Sequence, residues 1–277
     1  VIEKRALRFH FPSVRCGSPS RRPDELPPHM QKIQEHIPAK GRILLVLDYD
    51  GTLVPIVRKP KEAVFPRSTC DILADLIASR RVILSVISGR SLRDIRSRIG
   101  LKSIYYAGNH GLEISGPGLR FRHPEAVALR PLLRVLRDDL TQACAGIHGV
   151  FLEDKGLSLS LHYRNIAGGV RRRFTQGLMP IRKKYRGSPI VWKMGKKVWN
   201  ILPRISWDKG KAVLLLMERF KGLIFIAIGD DRTDQDMFRV LEGGGVAIHV
   251  GRGRGSQARF HMRSAGEVLL FLKSLCP

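Results

Sequence analysis

Two acidic groups carry most of the chemistry this chain can offer. Asp48-Tyr49-Asp50-Gly51-Thr52 follows a run of five apolar residues, and Gly229-Asp230-Asp231-Arg232-Thr233-Asp234 follows another run of six. Carboxylates one residue apart can serve different roles when the chain turns beside them, and Gly51 permits such a turn. One Asp-x-Asp after a strand reads equally well as a solvated turn. Two acidic groups at one sheet edge repel each other unless a cation lies between them, and hard oxygen ligands favour magnesium. Ser88-Gly89-Arg90 ends a third apolar run and opens a helical pattern. It presents a hydroxyl and free backbone amides that suit either an oxyanion or an ordinary helix cap. Lys209, in Asp208-Lys209-Gly210-Lys211, stands where the helix dipole prefers an acid, so an anionic partner suits it.

These residues need a scaffold that delivers them to one edge. The apolar runs at 43–47, 82–87 and 223–228 read as strands buried on both faces of a parallel sheet, with shorter strands at 104–107 and 246–249. Helical patterns at 68–79, 91–99, 209–220 and 265–275 alternate with them. The alternation predicts a doubly wound α/β core, whose ligands bind beyond the carboxyl ends of the strands. Between 119 and 202 the texture changes. Helical patterns at 124–140 and 168–184 flank an alternating segment, 157–163, in which Leu157, Leu159 and Leu161 interleave with Ser158, Ser160 and His162. Strand-like stretches at 190–193 and 197–201 complete an α+β insert. The expected organisation is a leader at 1–40, core at 41–118 and 203–277, and an inserted cap at 119–202.

The leader carries six prolines and no sustained period, so it reads as largely disordered, with a short helix around 29–36. No apolar run reaches the ~20 residues of a membrane span. Cys16, Cys70, Cys144 and Cys276 form no Cys-x-x-Cys pair, which makes a reducing cytoplasm the default setting. The net charge of +25 suits attraction of either nucleic acid or a small phosphorylated substrate. The segment 119–202 holds 17 Lys and Arg against 5 Asp and Glu, yet carries no helix-turn-helix, zinc-finger or aromatic RNA-binding signature. Nucleic-acid binding is therefore not the expected role.

The four motifs in this order resemble the haloacid dehalogenase-like phosphatases, and within them the trehalose-6-phosphate phosphatases. The narrower resemblance rests on residues 47–53, Gly108-Asn109-His110-Gly111-Leu112-Glu113, residues 153–164, Gly195-Lys196-Lys197 and residues 229–238. It implies a magnesium-dependent hydrolysis of trehalose 6-phosphate with Asp48 as nucleophile and Asp50 as general acid and then base. It implies Mg2+ held by Asp48, the Asp50 carbonyl and Asp230, with Asp231 and Asp234 supporting them. Thr52, Ser88 and Lys209 then hold the phosphoryl oxygens. Asn109 and His110 beneath the cap, and Glu153, Lys155, Arg164, Lys196 and Asn200 within it, meet the substrate. A trehalose-6-phosphate synthase upstream is the implied source of that substrate. One departure bears on specificity: the family's Gly-Lys-x-x-x-Glu ends here in Asn200. That change leaves open related glycosyl phosphates such as sucrose phosphate, glucosylglycerol phosphate or mannosyl-3-phosphoglycerate. A nucleic-acid-binding chain on a degenerate phosphatase core is the reading from another class, and the intact Asp48, Asp50, Ser88, Lys209 and Asp230 argue against it.

Overall fold

The structure is a computed structural model that describes residues 26–56, 64–195, 197–252 and 255–276. The core opens with α1 (Pro28–Glu35), β1 (Ile43–Asp48), α2 (Arg67–Ala78), β2 (Val82–Ile87), α3 (Leu92–Ile99), β3 (Tyr105–Gly108), β4 (Glu113–Gly116) and β5 (Leu119–Arg122). The insert comprises α4 (Pro124–Ala128), α5 (Arg130–Ala143), β6 (Phe151–Asp154), β7 (Leu159–His162), α6 (Arg171–Lys184), β8 (Ile190–Gly195) and β9 (Val198–Pro203). The core closes with α7 (Lys209–Arg219), β10 (Ile224–Gly229), α8 (Gln235–Arg239), β11 (Val246–Val250), β12 (Phe260–Met262) and α9 (Ala265–Ser274).

The core sheet runs β12-β11-β10-β1-β2-β3-β4-β5, parallel from β12 to β3 and antiparallel beyond. Strand β1 shows why its sequence is continuously apolar. Ile43, Leu45 and Leu47 enter one hydrophobic layer with residues of α1, α2 and α9, while Leu44 and Val46 enter another with α7 and α8. Burial on both sides leaves no position for a polar residue until Asp48, at the strand's carboxyl end. Helix α3 starts where the Ser91 hydroxyl accepts from the Asp94 amide, and it stops at Gly100, whose φ of 75° suits glycine.

Two expectations change at the boundaries. The short helix expected near 29–36 is α1, but it is packed rather than loose. Met30 and Ile33 are fully buried, and His29 and Gln34 bond to Glu267 and Ser274 of α9. Residues 28–35 thus belong to the core, because two apolar side chains one turn apart find a socket there. Residues 1–25 of the expected leader lie outside the described residues. Strand β5, placed in the insert by its basic composition, instead pairs with β4 at the edge of the core sheet. The insert is its own layer: a sheet ordered β6-β7-β9-β8, with α5 and α6 packed on one face around Leu136, Leu161, Phe174 and Ile201.

Candidate active site

Parallel strands end together, so β1 and β10 deliver their acids to one edge. Donor oxygens of Asp48, Asp230 and Asp234 lie within 4.8 Å of one another. Lys209, the first residue of α7 and 2% exposed, donates to Asp48 Oδ1 and Asp234 Oδ1 at 2.7 Å each. An ammonium has three donors, so one remains for a further oxygen. Asp234 Oδ2 accepts from the backbone amides of Asp230 and Asp231 at 2.9 Å. Asp231 Oδ1 caps the same turn by accepting from the Thr233 amide and hydroxyl at 2.7 Å. Gly51 has φ of +101°, and a Cβ there would come within 2.1 Å of Asp230 Oδ2. Both the turn and the approach of the two acidic loops therefore need glycine.

The electrostatics follow from this crowding. Burial pushes the Asp48 carboxyl well above the usual range, Lys209 opposes that, and Asp234 and Asp230 add to it. Burial alone would lower the Lys209 ammonium, but Asp234 and Asp48 hold it above its ordinary value, so it stays charged. Asp230 rises to about 7 through burial and the nearby Asp234 and Asp231. Its Oδ1 is buried with no hydrogen-bond partner among the described residues, as is the Thr52 hydroxyl. Three converging carboxylates, one with an orphaned buried oxygen, fit a hard cation. A hydroxyl without a partner beside them fits an additional oxygen ligand.

Arg90 plays a part that the sequence did not reveal. Its guanidinium grips Asp50 with two bonds, Nε to Oδ2 at 2.6 Å and Nη2 to Oδ1 at 2.5 Å, while Nη1 reaches Asp94 at 2.9 Å. This bidentate geometry is what a planar guanidinium provides and a lysine does not. The preceding Gly89 touches His110: a Cβ at 89 would fall 2.7 Å from the ring. His110 also donates its backbone amide to the Ser88 carbonyl. Burial, with Lys209 and Lys155 nearby, lowers its imidazole to about 3, so it is neutral at physiological pH.

The insert lies over this edge. Lys155 donates to the Gly89 carbonyl at 2.9 Å, and burial lowers its pKa although Glu153 opposes the shift. Asn109, expected to meet substrate, is already committed. Its Nδ2 donates to Glu113 Oε1 (2.8 Å) and to the Lys155 carbonyl (3.0 Å), and its Oδ1 accepts from Ser158 (2.6 Å). It ties cap to core. The alternating segment is also buried on both faces, with Ser158 and Ser160 at 2% and 1% exposure. Its polar face carries a register-aligned row across four strands: Glu153, Ser160, Asn200 and Lys193. Within it Ser160 donates to Asn200 Oδ1 at 2.7 Å, and Glu153 pairs with His162 at 3.0 Å. Arg164 is exposed in the turn after β7, and Lys196 lies outside the described residues. Arg90, Glu113, Ser158, Ser160 and Lys193 were not expected; only strand register, invisible without the partner strands, could have pointed to the last two.

A doubly wound sheet with paired aspartates after β1, a lysine at the start of α7, aspartates after β10 and an inserted α+β cap defines a haloacid dehalogenase-like phosphatase fold. The comparisons agree and narrow the class. A family model described as trehalose-phosphatase matches residues 46–264. The chain is 33% identical to trehalose-phosphate phosphatase of Mycobacterium bovis over 275 residues, covering 95% of this chain and 68% of that one. It is 32% identical to probable trehalose-phosphate phosphatase 2 of Oryza sativa, covering 86% and 69% respectively. The C-terminal domain of C. albicans trehalose-6-phosphate phosphatase shares the fold, with a TM-score of 0.73 and 21% identity over 93% of this chain and 99% of that one. The chain belongs to the trehalose-phosphatase family. Among the described residues no helix is long and apolar enough to cross a membrane.

Proposed function

We propose that this chain hydrolyses trehalose 6-phosphate to trehalose and phosphate through an aspartyl-phosphate on Asp48. The observation that carries the reading is the buried set of Asp48, Asp230 and Asp234 around Lys209, in a chain of this family. Asp48 attacks phosphorus, the bond to the sugar oxygen breaks, and Asp50 gives that oxygen its proton. A water then attacks the phosphoryl-aspartate while Asp50 takes the water's proton, which restores Asp48 and releases phosphate. Arg90 donates to both oxygens of Asp50 and so holds them as acceptors, which suits the base role. The acid role requires Asp50 to leave that pair and take up a proton.

Thr52, Ser88 and the remaining donor of Lys209 are the groups available to the phosphoryl oxygens. Asp48, the Asp50 carbonyl and Asp230 would hold magnesium, with Asp234 and Asp231 bracing them. Bound there, Mg2+ supplies the positive charge that lets an anionic carboxylate approach an anionic phosphate. The polar row of the cap, with His110 and Lys155, faces the sugar. A trehalose-6-phosphate synthase upstream would supply the substrate. A cytoplasmic setting fits Cys70, Cys144 and Cys276 as free thiols.

A second reading, another glycosyl phosphate, is favoured by Asn200, which offers a neutral acceptor already shared with Ser160. The test is phosphate release from a panel of sugar phosphates with and without Mg2+. Magnesium-dependent turnover dominated by trehalose 6-phosphate is the expected result, and Asp48→Asn should remove it. Equal rates across the panel would overturn the substrate assignment; activity retained in Asp48→Asn would overturn the mechanism.

A further inference from the structure

One depression of the described surface lies outside the catalytic cluster. It has a volume of ≈ 410 Å³ and lies where α3 crosses the β4–β5 hairpin, at the edge of the core sheet. Leu92, Ile114 and Phe121 form its apolar part, and Arg96, Arg120 and Arg122 surround it.

Exposed arginines are common in a chain of net charge +25, so their presence alone says little. Their placement says more. Arg120 and Arg122 are two apart on β5, so they project from the same face of the sheet. Register sets them opposite Ser115 and Glu113 of β4. Arg96, on the exposed side of α3, reaches the same face and donates to the Ser115 hydroxyl at 3.4 Å. Three guanidiniums thus converge on one concavity from two separate elements.

Among the described residues, none of the three has a carboxylate within salt-bridge distance. The nearby acids are engaged elsewhere: Glu113 Oε1 accepts from the Leu92 amide and from Asn109, and Asp94 is held by Arg90 and Arg98. Three guanidiniums share this face with one carboxylate, Glu113, so positive charge is in excess there, and an anion relieves the repulsion. Guanidinium forks match phosphate oxygens in particular. The volume leaves room for more than a bare phosphate.

We infer that the α3–β4–β5 depression is a second anion site, which binds a small molecule carrying a phosphate or diphosphate group through Arg96, Arg120 and Arg122. No residue of the catalytic cluster lines it, and it is independent of the reaction proposed above.

Inorganic pyrophosphate, titrated calorimetrically in excess EDTA, is the probe. Excess EDTA removes the divalent metal that would draw an anion to the catalytic edge, and the arginine variants assign the binding that remains. The expected result is saturable binding near one equivalent per chain. Arg120→Gln with Arg122→Gln should weaken it by about tenfold or more, since two charge-assisted contacts are lost. Arg96→Gln, on a different element, should weaken it as well, which separates loss of the site from damage to the hairpin. Arg172→Gln with Arg173→Gln, an equal change of charge on the exposed face of α6, should leave it unchanged. Absence of saturable binding, or equal weakening by the α6 pair, would overturn the assignment.

Discussion

Asp230 makes the metal reading quantitative. Its pKa rises from an ordinary 3.8 to about 7, because burial and the adjacent Asp234 and Asp231 disfavour its charge. A carboxyl raised on folding stabilises the fold fully below its unfolded value, and that contribution is lost as pH climbs to the folded value. Between pH 5 and 8 about two pKa units of the shift are lost, or roughly 2.7 kcal/mol at about 1.4 kcal/mol per unit. Asp230 is only partly buried, so screening by solvent brings this to about 1.4 kcal/mol. For a chain of this size that is a fall in Tm of about 3–6 °C. Magnesium at ~100 times its Kd adds about 2.7 kcal/mol, and it binds only the ionised site. The assay is calorimetric melting of metal-free protein at pH 5 and 8, with and without Mg2+, for the wild type and Asp230→Asn. The wild type should melt lower at pH 8, regain stability with Mg2+ there, and respond weakly at pH 5. Asp230→Asn should flatten both dependences. An unchanged pH profile in Asp230→Asn, or equal gains from Mg2+ at both pH values, would refute the reasoning.

Lys209→Met leaves Asp48 and Asp234 buried without their shared cation, which should cost about 3–5 kcal/mol. Thermal melting should show a fall on the order of 10 °C, and phosphate release should cease. Asn109→Ala strands the hydrogen-bonding groups of Ser158 and Glu113 between cap and core, at a cost of about 1–3 kcal/mol. Its KM for a sugar phosphate should rise while that for a small aryl phosphate holds; equal changes would show that the tie does not position the cap. Asn200→Glu places a carboxylate opposite Lys193 and within reach of the Ser160 hydroxyl. The KM for trehalose 6-phosphate should fall by roughly 3–10-fold, as a comparison of steady-state kinetics on the sugar-phosphate panel will show.

The central strands were legible because burial on both faces forces continuous apolar runs; residues 82–87 match β2 from end to end. The edges were not. Leu119-Arg120-Phe121-Arg122 alternates too briefly to stand out from a basic loop, and its strand character comes from pairing with β4. Residues 157–163 alternate as a half-exposed strand would, yet Ser158 and Ser160 are buried because the cap lies against the core. That contact is a long-range fact with no local trace. The same holds within the site. The acidic motifs announced Asp48 and Asp230, whereas the grip of Arg90 on Asp50 and the bond from the Asn109 amide to the Lys155 carbonyl depend on partners 40 and 46 positions away.

The aligned row of Glu153, Ser160, Asn200 and Lys193 divides labour between two sheets. The acidic cluster hangs from loops of the core, while the polar row is a single line of side chains crossing the insert. Each of its positions can be exchanged without moving a carboxylate, since the β-strand period sends neighbouring residues to the opposite face. On the proposed function, an exchange at one position of the row, Asn200 among them, alters the contacts to the substrate and leaves the acidic cluster of the core in place.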